Sequence, residues 1–339
     1  MRTDKFIPSP LFYRITALWV ICEAFAGGIM HGFKIPFSGM IVSSLAVFCI
    51  ILLARYVPST TAILKATVIV AVFKLMLSPH SPPTAYIAVL FQGFVGQLLF
   101  LNNRFFTFSS ILLAVLGLVE SAIQRILVLI ILYGKDFWQA VNEFIKKITG
   151  DKNVNNYSLL IASGYVIIHA IVGICVGYFA AKLVKNSGSW REQLPQYIIK
   201  EDSYCNDPLI SRSKKKKKKG KLVFLIAWLL LLAFYIQSLL DPAGALLPKT
   251  KVLQIIIRSA LVVIAWYLFL SPLIMTGIKK ILLLKQSHNR EDMNSTMKLL
   301  PEIKMIFQKS WQFSAPLKGL NRLKLFMKIL LMNVLEEQH

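Results

Sequence analysis

The sequence predicts an all-α, polytopic membrane protein with about eight transmembrane helices. Hydrophobic residues make up 56% of the 339 residues, whereas charged residues make up only 16%. A water-soluble protein of this length could not hide so much apolar surface from solvent. Apolar stretches long enough to cross a bilayer also recur along the chain, so we expect a six-helix bundle, a two-helix extension and an amphipathic basic tail.

Eight apolar segments reach the roughly 18 residues that a spanning helix needs. The first contains Arg14 and Glu23 and has no clear small-residue cleavage site, so we expect a retained span rather than a signal peptide. Three segments are longer than about 25 residues and are expected to tilt or to extend past the membrane. The segments lie near Leu11–Met30, Phe37–Ala54, Thr60–Leu77, Thr84–Leu101, Phe105–Tyr133, Tyr157–Leu183, Leu222–Leu240 and Val252–Ile278.

Lysine and arginine predict which segments face the cytoplasm, where they are enriched beside membranes. Residues 182–221 carry 12 of them against 4 acids, and residues 279–339 carry 11 against 5. An even number of spans then places both termini in the cytoplasm, for a multi-pass protein of the plasma (inner) membrane. The predicted parts are a six-span bundle (1–185), a basic cytoplasmic linker (186–221), a two-span extension (222–283) and an amphipathic basic cytoplasmic tail (284–339).

The net charge of +23 is concentrated in the linker and the tail, as expected beside an anionic leaflet, so nucleic acid is not expected as a partner. Six consecutive lysines are interpreted as an anchor on anionic lipid. They are Lys214, Lys215, Lys216, Lys217, Lys218 and Lys219.

Sequence motifs for catalysis are missing. There is no Walker motif, Gly-rich phosphate loop, Gly-x-Ser-x-Gly elbow or His-Glu-x-x-His, so we expect neither an enzyme nor ATP hydrolysis by this chain. Cys22, Cys49 and Cys175 fall within spans and Cys205 in the linker, which fits neither disulfides nor zinc. No catalytic residue, metal or cofactor is predicted.

Ionisable residues inside apolar spans are costly and usually face a cavity or a partner. Glu120 and Gln124 share one face of the fifth span, with Ser121 and Arg125 on a neighbouring face. This spacing fits a polar stripe along a cavity, or equally a buried Glu–Arg pair that locks helices together. In the third span, Lys65 is expected to extend its ammonium to the interface, and the role of Lys74 stays open.

His31 and His80 are predicted to lie at the outer ends of the first and third spans, on the same side of the membrane. Gln92, about two turns into the fourth span, could join them around one external pocket. Two histidines do not specify a metal site, because further ligands are needed. For His80, a rigid Pro-rich turn explains the residue about as well as a ligand contact.

Three further patterns concern packing and the tail. Gly173, Gly177 and Ala181 recur every four residues, which favours close helix packing or, alternatively, docking of a second membrane subunit. Residues 134–156 place apolar side chains on one helix face, as in an interfacial helix or a lid. In the tail, Pro301 and Pro316 are predicted to break short amphipathic helices that lie on the membrane or hold a partner.

Six spans with both ends inside and polar outer turns after spans one, three and five resemble the substrate-binding component of energy-coupling-factor vitamin transporters. The resemblance is one of layout and covers about residues 1–185. It implies uptake of a small molecule such as a vitamin, bound in an outward-facing cavity, with a membrane coupling subunit and a separate cytoplasmic ATPase. Arg2 stands where the cobalt and nickel branch of that family has histidine, which argues against that branch. Carried over by position, the ligand-binding residues would be Glu23, His31, Lys34, His80, Gln92 and Glu120.

Three other functions compete with this one. A secondary carrier would use Glu120 or Glu23 as a proton site, but no convincing symmetry between halves is visible. A membrane scaffold or assembly factor would act through its basic cytoplasmic tail. A lipid-modifying enzyme would need a catalytic constellation that the spacing does not reveal.

Overall fold

The computed structural model describes residues 9–23, 38–57, 59–78, 81–101, 105–150, 156–199 and 249–335. All regular elements in these ranges are helical, which confirms the all-α prediction. Five helical stretches are long and apolar enough to cross a membrane, so the multi-pass character is confirmed as well. They are Ser38–Tyr56, Pro83–Phe100, Phe106–Lys135, Tyr157–Asn186 and Val252–Gln286.

The third predicted span forms a shorter helix of 16 residues, and the described part of the first contains a helix of 12 residues. The seventh, Leu222–Leu240, lies outside the described residues, as do Lys214–Lys219. The main helices are α1 (Pro10–Ile21), α2 (Ser38–Tyr56), α3 (Ala62–Leu77), α4 (Pro83–Phe100), α5 (Phe106–Thr149), α6 (Tyr157–Asn186), α7 (Lys249–Ala265), α8 (Ser271–His288), α9 (Arg290–Phe313) and α10 (Gly319–Val334). A π-helical turn, Trp266–Leu270, joins α7 to α8.

Hydrogen bonds between helices show that α2 to α6 alternate in direction. Gln124 of α5 donates to the Thr84 carbonyl at the start of α4, and Tyr56 at the end of α2 donates to the Val184 carbonyl near the end of α6. The Gln97 side chain near the end of α4 donates to the Thr60 carbonyl just before α3 (2.5 Å), and Lys185 at the end of α6 donates to Thr107 at the start of α5 (2.8 Å). We call this end of the bundle the tail end, because α9 and α10 pack there. The opposite end, which holds Glu23 and Lys74, is called the cavity end.

Helices α5 and α6 approach closely because α6 presents glycines. A Cβ at Gly173 would lie 2.8 Å from the Val115 Cα, and one at Gly177 would lie 2.5 Å from the Ile111 Cα. Both distances are too short for a side chain, and the obstacle is backbone. The small-residue pattern in α6 therefore serves packing within the chain, as one of the two interpretations predicted.

Helix α5 bends at Gly134, where φ is +70° and ψ is −168°. Only glycine adopts that conformation without strain, and a Cβ at this position would lie within 2.5 Å of the Arg258 guanidinium. Beyond the bend the helix continues to Thr149. There Ala140 packs on Val252 and Ile255 of α7 in a small apolar cluster, so this predicted outer helix is attached to the 249–288 helical run.

The tail helices differ from the prediction at one of the two prolines. Helix α9 continues through Pro301, whereas the chain does break around Pro316, between Phe313 and Gly319. Proline removes one backbone hydrogen bond and weakens a helix. Packing compensates at Pro301, because Ile303 and Ile306 beside it are fully buried in the core of the bundle.

Helix α1 and the tail are joined through Arg14, which is only 4% exposed. Its Nε and Nη2 donate to the backbone oxygens of Val334 and Asn333, both at 2.9 Å. These carbonyls lie in the last turn of α10, where helix geometry leaves them without partners. Nη2 also lies 2.9 Å from the Glu302 Oε1, close enough for an ion pair although not aligned as a hydrogen bond.

Asp292 at the start of α9 connects the tail to two helices at once. Its Oδ1 accepts a hydrogen bond from the Tyr13 hydroxyl of α1, and its Oδ2 pairs with the Lys65 ammonium of α3, both at 2.8 Å. The ammonium of Lys65, which was expected to extend to the membrane interface, pairs with this carboxylate at the tail end. The carboxylate offsets the cost of placing the Lys65 charge in an apolar helix.

Candidate functional site

A cavity of about 520 Å³ opens at the cavity end of the bundle. It is lined by residues from α2, α3, α4 and α5, by Glu23 just after α1, and by Trp266 in the π-helical turn. Most of its wall is apolar, with a few polar groups between, and its volume lies in the range of about 300–1,000 Å³ typical of small-molecule sites. Its chief polar groups are Glu23, Ser43, Lys74, Gln92, Gln124 and Arg125.

A buried ion pair forms part of the cavity wall. The Lys74 Nζ lies 2.5 Å from the Glu23 Oε2, and both side chains are about 95% buried. Each charge on its own would be costly in a low-dielectric site, and each offsets the cost of the other. The pair joins the end of α1 to α3, and it gives Lys74, whose role the sequence left open, a defined place in the site.

Gln92 contributes a fixed amide to the same wall. It is 1% exposed, and its Nε2 donates a 2.9 Å hydrogen bond to the Ser43 Oγ of α2. The side chain fits because Gly117 of α5 lies beside it: a Cβ at Gly117 would be 3.3 Å from the Gln92 Cγ. The amide is therefore held between three helices, with its orientation set by Ser43.

The predicted polar stripe on α5 is present for three of its four residues. Ser121, Gln124 and Arg125 line the cavity, whereas Glu120 does not. Glu120 instead accepts a hydrogen bond from Gln124 through Oε1, while its Oε2 is buried with no hydrogen-bond partner among the described residues. Gln124 also donates to the Thr84 carbonyl of α4 (3.3 Å).

The alternative interpretation was a buried ion pair of Glu120 with Arg125 that locks helices together, and the described ranges do not contain this pair. Arg125 takes no part in the described ion pairs Arg14–Glu302, Lys65–Asp292 and Lys74–Glu23. The Arg125 side chain is exposed and borders the cavity. It is thus a cation that faces the cavity from within a membrane-length helix.

Two of the six predicted ligand-binding residues, Glu23 and Gln92, line the cavity, and Glu120 lies behind it. His31, Lys34 and His80 fall outside the described residues. Sequence reasoning missed Ser43 and Trp266. The Ser271–Pro272 step close after Trp266 was a usable signal, because proline-interrupted apolar segments often border binding sites in transporters.

Metal binding finds no support in the ranges that the structure describes, where no three His, Cys, Asp or Glu side chains gather as a candidate metal site. The cavity offers hydrogen-bond donors and acceptors, the Glu23–Lys74 ion pair, the Arg125 cation and the aromatic ring of Trp266.

No family model, curated protein or solved structure matches this chain.

Proposed function

We propose that the chain is a membrane transport component that binds a small molecule, such as a vitamin, in an outward-facing cavity and depends on a separate ATPase for energy. The observation that carries the proposal is the cavity itself. It combines an apolar wall with fixed polar groups, notably Gln92 held by Ser43 and the Glu23–Lys74 pair. Such a mixture is typical of sites that bind small molecules rather than of simple packing defects.

The proposed topology has eight spans with both termini in the cytoplasm. The tail end carries the basic helices α9 and α10, and the cavity lies at the opposite end. If lysine and arginine mark the cytoplasmic side, the cavity opens outward, as uptake requires. The likeness to energy-coupling-factor substrate-binding components belongs to the same proposal, as do a membrane coupling subunit and the lipid anchor at Lys214–Lys219.

A cavity-filling variant tests the proposal. Ala88 lines the cavity, whereas its neighbour Ile87 is 50% exposed on the outer face of α4. Full-length wild type, Ala88→Phe and the control Ile87→Phe would be incubated with a metabolite extract, washed and analysed by mass spectrometry. We expect a small molecule that wild type and Ile87→Phe retain and Ala88→Phe loses. Equal retention by all three, or by none, would contradict the proposal.

A second candidate function, a scaffold or assembly factor acting through the tail, is favoured by one observation. The segment from residue 303 to 335 contains six Lys or Arg and no acid. Around the turn between α9 and α10, Trp311, Leu320 and Leu323 are 48%, 80% and 51% exposed. A basic surface with exposed apolar side chains is typical of contacts with membranes or partners.

Deleting residues 284–339 would not separate the two functions, because Ile303, Ile306 and Leu331 belong to the core that contains α1. The double substitution Leu320→Ser/Leu323→Ser is sharper, since these two side chains of α10 are 80% and 51% exposed. A transport component should keep its small molecule in this variant. A scaffold should lose its partner while the small-molecule result for wild type stays negative.

A further inference from the structure

We infer that the ligand of this cavity is an amphipathic monocarboxylate whose carboxylate binds Arg125. The inference rests on the proposed function and adds a substrate class to it. A guanidinium presents a planar fork of N–H donors that matches the two oxygens of a carboxylate. In the described ranges no hydrogen bond or ion pair occupies that fork on Arg125.

The position of Arg125 makes an external anion the natural partner. It lies in the apolar stretch Phe106–Lys135, about ten residues or roughly 15 Å before its end. An ionised side chain at such a depth is expensive unless it faces water or an opposite charge. The cavity supplies the space, and a bound carboxylate would supply the charge.

The charges around the cavity favour a single negative charge on the ligand. Glu23 and Lys74 neutralise each other at 2.5 Å and are both buried. Arg125 is then the cation of the described lining that no carboxylate neutralises. A monoanion balances this excess, whereas a phosphate dianion would exceed it.

The remaining wall describes the rest of the ligand. Val89, Val128 and Leu129 offer apolar contact, and Trp266 offers an aromatic side chain. The Gln92 amide is fixed by Ser43 and can recognise one polar group at a distance from the carboxylate. The expected ligand is thus an apolar or aromatic body with a carboxylate at one end and a hydrogen-bonding group at the other.

The test compares Arg125→Gln with Arg125→Lys and with Lys135→Gln, which removes a cation from the same helix outside the cavity. Each full-length protein would be loaded with metabolite extract and washed, with Ala88→Phe as the background. The released molecule would be identified by mass spectrometry, and its affinity and that of its primary amide measured by calorimetry. Unchanged melting temperatures would show that each variant is folded.

We expect a monocarboxylate that binds wild type and Lys135→Gln equally. Its affinity should fall about tenfold to a hundredfold in Arg125→Gln, less in Arg125→Lys, and by a similar factor when the carboxylate is converted to the amide. Retained affinity in Arg125→Gln, or release of a neutral molecule or a cation, would overturn the inference and leave the proposed function standing. Release of a phospholipid would overturn both. No molecule above the Ala88→Phe background would overturn both.

Discussion

The two ends of the bundle differ in how their buried or cavity-facing cations are paired. At the tail end, Arg14 and Lys65 are both paired with acids that α9 supplies, and the surrounding helices close into an apolar core. At the cavity end, Glu23 and Lys74 pair with each other, while Arg125 faces open space. The tail end is thus completed by the chain itself. At the cavity end the described residues leave one cation without an acidic partner, and this is where we propose that a ligand binds.

The largest effect is expected from Arg14→Met, which tests whether the tail end is a structural unit. The variant leaves Glu302 without its cation and two carbonyls of α10 without donors. Removing one partner of a buried pair costs about 3–5 kcal/mol. Thermal unfolding in detergent should show a large drop in melting temperature, and trypsin should cut the tail faster. Lys318→Met, at an exposed position, is the control; equal melting temperatures for both would mean that Arg14 does not hold the tail.

A somewhat smaller loss of stability is expected for Glu23→Gln at the cavity end, about 3 kcal/mol, because Lys74 keeps one hydrogen-bond acceptor but loses its counter-charge. The double variant Glu23→Gln/Lys74→Met should recover part of the loss, since no unpaired charge remains. A double-mutant cycle on unfolding free energies measures the coupling. Strict additivity would show that the two groups do not interact.

Gly177→Ala should cost about 1–3 kcal/mol, because its Cβ would lie 2.5 Å from the Ile111 backbone. Gly164→Ala in the same helix meets nothing within 4 Å and should be neutral or stabilising. Melting temperatures of the pair give the comparison. A similar drop in melting temperature for both variants would contradict a tight contact between α5 and α6 at Gly177.

The smallest effect is expected for Leu320→Ser, within about 0.5 kcal/mol, because this side chain is 80% exposed. A small effect would show that the packed core of the tail end does not extend to Leu320. A loss of melting temperature comparable to that of Arg14→Met would place the turn between α9 and α10 inside the core instead.

The features that the sequence predicted well depend on local patterns. The length of the apolar segments predicted all five membrane-length helices that the described residues contain. The four-residue spacing of small residues predicted the glycine face of α6. The polar residues Glu23 and Gln92 could be nominated because polar groups are rare in spans. The pairing of Lys65 with Asp292 could not be predicted, because 227 positions separate the two residues and no local pattern favours one acid of the tail over another. Pro301 misled for a related reason: buried Ile303 and Ile306 on its flank outweigh a local helix-breaking preference.

The contacts of Asp292 have a mechanical consequence. Helices α1 and α3 run in the same direction, and each carries a polar anchor near both ends, about nine or ten residues apart or roughly 14 Å. One cross-link between them is the Glu23–Lys74 pair; the other is Tyr13 and Lys65 held on one tail carboxylate. Each cross-link joins α1 to α3, and the one at the tail end passes through Asp292 of α9. Breaking either cross-link would let α1 and α3 move relative to each other. A change in the Glu23–Lys74 pair and a change in the position of α9 would therefore act on the same two helices.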